Sequence, residues 1–243
     1  MGKKSFLFQP IFYILIILYI ILGYSTLGFG NKLAPLLFRE DGYFENIAAW
    51  SLFISSIIIF IVFVRAFKTR SETGIHWIKL AVYFGFSFLF FFGAGEEISW
   101  GQRIFNIQTP DVLVEKNVQE ELNIHNLDVF ANNDIDSDDL FTLFWMFFIV
   151  FIPALALVWK RFEPFASKFV PIVYWSIGAL FIFNYLFAKL AKIIYATVYS
   201  YEKIAFVQAL QEIKESHYTF LLIFFSLFVL WNFNQTLNTP QKK

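Results

Sequence analysis

The sequence has no cysteine, which excludes disulfide bonds, thiolate nucleophiles and zinc–thiolate centres. Charge is scarce too: Asp, Glu, Lys and Arg make up 16% of the 243 residues, against about 25% in an ordinary soluble domain. Formal net charge is zero, so the chain offers nucleic acid no electrostatic footprint. Histidine occurs three times, as His76, His125 and His217. There is no G-x-S-x-G, no H-E-x-x-H, no phosphate-cradling glycine loop and no H-x-x-x-H. The last absence argues against ceramidase-type membrane hydrolases.

What the chain has instead is apolar surface. Hydrophobic residues make up 58% of it and phenylalanine alone fills 35 positions, more than one core can hide. Runs with little or no charge lie at 10–30, 47–64, 80–95, 140–159, 169–188 and 217–233. Several approach the roughly 20 residues that a helix needs to cross a bilayer. They are continuously apolar, without the alternation a barrel strand needs. The expected fold is therefore all-α: a polytopic transmembrane bundle of about six spans, forming one domain over 1–243. The first run outlasts a signal-peptide core and lacks a clear A-x-A site, so it reads as a retained anchor.

Orientation follows from the connecting segments, because cytoplasmic loops keep the positive charge. Lys3, Lys4, Arg65, Lys68, Arg70, Lys79, Lys160, Arg161, Lys168, Lys242 and Lys243 fall in one set, with Glu72 and Glu163 as its acids. The other set, near 31–46, 96–139 and 189–216, carries eight basic residues against seventeen acids. An inner or plasma membrane protein with both termini cytoplasmic is expected. The apolar stretch within 193–214 resembles another span, but Glu202 and Lys203 in its middle favour an interfacial or helix-extension reading.

The polar residues that could carry chemistry fall in the acidic set. Gly93-Ala94-Gly95-Glu96-Glu97 closes the third run and leads into Ser99, Gln102 and Arg103. In a continuing helix, Glu96, Ser99 and Arg103 share one face and Glu97 points about 100° away. The glycines permit close packing around the acids. In the 96–139 insertion, Thr109-Pro110-Asp111 reads as a helix start. An interfacial helix from there places Asn117, Glu121 and His125 in one stripe. Glu45 opens the second span; Glu212 and Glu215 lead into His217 at the last. Glu96, Glu97, Arg103, Glu121 and His125 are thus candidate catalytic groups. Glu45, Glu97, Glu121, His125 and His217 are candidate ligands for a divalent metal. The acidic run from Asp134 to Asp139 lacks the glycine and closing glutamate of a calcium loop and reads as a solvated linker.

The strings GEEISWGQRIF (95–105) and NVQEELNIHNL (117–127), with REDGYFEN (39–46) upstream, resemble a group of uncharacterised bacterial multi-pass membrane proteins. The resemblance implies that Glu45, Glu96, Glu97, Gln102, Arg103, Asn117, Gln119, Glu121, Asn123 and His125 belong to one shared site. It assigns no activity. Three readings of that site stand. The first is an enzyme working on a lipid or lipid-linked substrate at the outer leaflet, by metal or by acid and base. The second is a scaffold or sensor for a partner protein. The third is a transporter with an acidic vestibule, weakened by the few polar residues in the span centres, Ser55, Ser56, Ser87, Ser176 and Asn184.

Overall fold

Where hydrocarbon replaces water, each backbone polar group must find its partner within its own segment, and the helix is the local answer. A computed structural model describes residues 10–32, 37, 42–110, 122, 137–198 and 203–238. Among these there is no strand, and six helices are long and apolar enough to cross a membrane. They are α1 (Pro10–Ser25), α2 (Tyr43–Lys68) and α3 (Trp77–Glu97). The fourth, α4, is compound: Ser137–Trp145, a π-helical turn over Met146–Phe151, then Ile152–Val158. Next come α5 (Trp175–Val198) and α6 (Lys203–Asn238).

The bundle is organised around α2 and α6. Phe44 lies near His217 (ring centroids 6.3 Å apart), and Arg65 donates to Asn234 Oδ1 at 2.9 Å, so the two helices run parallel. Helix α3 returns antiparallel along α2, and Ser56 and Ser87 bind each other across that seam. Each hydroxyl donates to the other residue's carbonyl, at 2.8 and 3.1 Å. Leu52 fills the space beside Gly93. Without a hydrophobic drive between helices in lipid, such small-residue packing and interhelical hydrogen bonds hold a membrane bundle together.

The break in α4 has a chemical cause. Pro153 has no N–H to give the carbonyl of Ile149, and its ring crowds that carbonyl. The Ile149 carbonyl faces Gly178 of α5, where a Cβ would lie 2.5 Å from the oxygen. Only glycine admits that approach. Trp145 and Phe181 then stack on Tyr218 of α6, with centroids 5.3 and 5.7 Å from it.

Several boundaries differ from the sequence reading, among them the end of the fifth helix, which runs on to Val198 and not only to about 188. The fifth helix starts at Trp175, not near 169, because Pro171 and its neighbours form the connection after a short turn at Phe162–Ala166. The sixth starts at Lys203, so the helix-extension reading of 193–214 holds from that residue on. Helix α6 has 36 residues, about 54 Å at 1.5 Å per residue, against a hydrocarbon core of about 30 Å. The helix is therefore longer than one crossing needs, and its charges, Lys203, Glu212, Lys214 and Glu215, fall in or just after its first third.

Candidate functional site

Two helix ends and the charged stretch of a third helix face one another at one end of the bundle. Glu45 comes from the first turn of α2, where the positive end of the helix dipole favours an acid. Glu96 and Glu97 come from the last turn of α3, and Glu212 and Glu215 from the charged part of α6. The carboxylate of Glu97 interacts electrostatically with Glu215, Glu212, Glu45 and Glu96, in falling order. Glu212 interacts with Glu215 and Glu45 in the same way. Counting along α2 from Glu45 to Arg65, and along α6 from Glu215 to Asn234, gives about 30 Å each. The acids therefore lie about 30 Å along the bundle from the Arg65–Asn234 contact, a length comparable to that of a hydrocarbon core.

The turn that presents Glu96 and Glu97 is strained. The helix does not run on through Ser99 and Arg103, so the expected shared face of Glu96, Ser99 and Arg103 is not formed. Instead Ser99 (φ 45°), Trp100 (φ 54°) and Gly101 (φ 76°) are left-handed in succession. Each of the two non-glycine residues costs about 1–2 kcal/mol there. The reversal folds the Trp100 indole back over Gly95, where a Cβ would meet the ring at 2.8 Å. The indole packs edge-on against Phe92, and its Nε1 donates to Glu96 Oε1 at 2.5 Å. Trp100 is thus a clamp on Glu96, a residue only 7% exposed.

Gln102 ties the following segment to this turn. Its Nε2 donates to Thr109 Oγ1 and its Oε1 accepts from the backbone N–H of Leu122 at 2.7 Å. Leu122 therefore reaches the turn that follows α3. Glu121 and His125, two of the expected site residues, lie outside the described residues, as do the Arg103 side chain, Asn117, Gln119, Asn123 and the expected interfacial helix.

His217 sits elsewhere. It is buried inside the bundle, ringed by Tyr19, Tyr24 and Phe44 at centroid distances of 5.1, 5.0 and 6.3 Å. Its Nδ1 lies 3.2 Å from Asn184 Oδ1. Its Nε2 has no hydrogen-bond partner among the described residues and abuts Gly23. Both ring nitrogens thus face protein rather than the carboxylates. Among the described residues no three His, Asp or Glu groups are arranged to hold a metal ion. Glu45 and Glu97, also expected as ligands, come together with Glu212 and Glu215 instead. The remaining histidine, His76, caps α3 by accepting from the N–H of Ile78 at 3.2 Å and stacks on Trp77.

The fold and its apolar spans define a multi-pass integral membrane protein. No family model matches the chain, and no curated protein or solved structure is similar to it.

Proposed function

We propose that the chain is a membrane enzyme acting on a lipid or lipid-linked substrate at the outer leaflet, with the carboxylates of Glu97, Glu45, Glu212 and Glu215 serving as acid and base. The observation that carries this reading is the convergence on Glu97 of four other acids from three helices. Like charges gathered at the edge of hydrocarbon are costly unless protons or a cationic group offset them. A site that gives and takes protons, or receives a substrate headgroup with positive charge, has use for such an arrangement. The positive-inside count puts this end on the non-cytoplasmic side. The strained Ser99–Gly101 turn supports the reading as well, since backbone strain tends to collect where side chains must be aimed.

Glu97→Gln removes the central carboxylate and keeps its shape. Membranes or nanodiscs holding the native protein should consume a lipid or lipid-linked species, detected by mass spectrometry of the extract, and those holding Glu97→Gln should not. Identical lipid profiles for native protein, variant and empty membranes would overturn the proposal.

A further inference from the structure

Asn184 is an amide in the middle of an apolar helix, fully buried, and all its polar atoms are used. Its Nδ2 donates to the carbonyl of Lys214 on α6 at 3.2 Å. Its Oδ1 accepts from the Tyr24 hydroxyl of α1 at 2.9 Å and faces His217 Nδ1 at 3.2 Å. This pattern fixes the amide: turned over, its oxygen would confront the Lys214 carbonyl. It also fixes the proton on His217 Nδ1, since Asn184 Oδ1 can only accept. One side chain of α5 therefore holds α1 and grips α6 at two points, Lys214 and His217, within a single turn.

Lys214 lies between Glu212 and Glu215, the two α6 acids that reach Glu97. We infer that Asn184 is the positioning residue of the acid cluster: it sets the axial height and rotation of α6 and so brings Glu212 and Glu215 level with Glu45 and Glu97. This rests on the cluster being the working site. A helix in hydrocarbon slides and rotates against apolar neighbours at little cost, because lipid and leucine are equivalent solvents for it. A buried amide has no such latitude, since each of its groups would lose a partner. The Lys214 carbonyl contact opposes sliding, while the His217 contact opposes rotation. Gly23 completes the lock by leaving room for the imidazole, whose Nε2 lies 2.2 Å from where a Cβ would be.

Because the chain has no cysteine, introduced pairs are the only thiols in a crosslinking test. Glu97→Cys with Glu215→Cys, in nanodiscs with a short bis-maleimide, reports the height of α6 against α3. Ser56→Cys with Ser87→Cys, whose native hydroxyls lie 3.4 Å apart and which are joined directly as a disulfide by copper–phenanthroline oxidation, reports that the α2–α3 seam is intact. Asn184→Leu is expected to lower the first crosslink about tenfold and leave the second unchanged. Tyr24→Phe, which removes one hydroxyl from the same node, should give a smaller loss in the same direction. An unchanged 97–215 yield in Asn184→Leu with the control intact overturns the inference and spares the proposed site. Should Asn184→Leu also lose the control crosslink, Tyr24→Phe decides, and an unchanged yield there overturns it. Failure of the 97–215 pair with Asn184 native overturns both this inference and the proposed site.

Discussion

Gly23→Ala is the sharpest perturbation the packing allows. Gly23 lies in the last turn of α1, and glycine to alanine within a helix normally gains up to about 0.5–1 kcal/mol. At Gly23 the new methyl would sit 2.2 Å from His217 Nε2 and 2.5 Å from its Cε1, so the imidazole has to retreat by about 1 Å before ordinary contact is restored. The ring is enclosed by Tyr19, Tyr24 and Phe44, and overpacking of that kind costs about 1–3 kcal/mol. The 3.2 Å contact between His217 Nδ1 and Asn184 does not survive such a shift, which adds about 0.5–1.5 kcal/mol. The net cost is about 0.5–4 kcal/mol, or roughly 1–16 °C in melting temperature for a chain of this size. Gly85→Ala is the control, because that glycine is also helical but has nothing within 4 Å of its missing Cβ. Thermal unfolding in the same detergent should rank Gly85→Ala at or above the native protein and Gly23→Ala clearly below it. Equal melting temperatures for the two variants would refute the packing of α1 against His217.

Two further outcomes follow from geometry. Trp100→Phe removes the Nε1–H that holds Glu96 and should cost about 1–3 kcal/mol in chemical unfolding, and Gly95→Ala should cost a comparable amount by displacing the indole. The two losses should not add in the double variant, since both act through one contact. Ser56→Ala and Ser87→Ala should each cost about 0.6–1.7 kcal/mol, because each removes one donor to a backbone carbonyl that the other variant leaves in place, and the two losses should add; no loss from either would mean the reciprocal pair is not formed.

The spans were legible in the sequence because hydropathy reports the solvent a segment meets, and six apolar runs correspond to six helices. Their ends were less so. Charges at Lys203, Glu212, Lys214 and Glu215 stop an apolar run but not a helix, so α6 begins well before its hydrocarbon portion. The 169–174 stretch is apolar yet carries Pro171 and lies outside any helix. At the site, Glu45 and Glu97 stood out as candidates because so few charges exist to choose from, whereas Glu212 and Glu215 read only as acids leading into His217 and not as site residues. The reversal at Ser99–Trp100 was not legible, since no local pattern marks two consecutive non-glycine residues in the left-handed region. Histidine invited a reading as metal ligand through its rarity, but His217 turns inward to Asn184. The signal for that node was Asn184 itself, an amide in hydrocarbon, where polar groups persist only with partners.

The convergence of acids from three helices is tested most directly on the unaltered chain. Coupling native carboxylates with a short dihydrazide in nanodiscs, followed by peptide mass spectrometry, should recover links from Glu97 to Glu215 or Glu212 and from Glu45 to Glu212. Links confined to neighbours on a single helix, with none joining α2, α3 and α6, would contradict it.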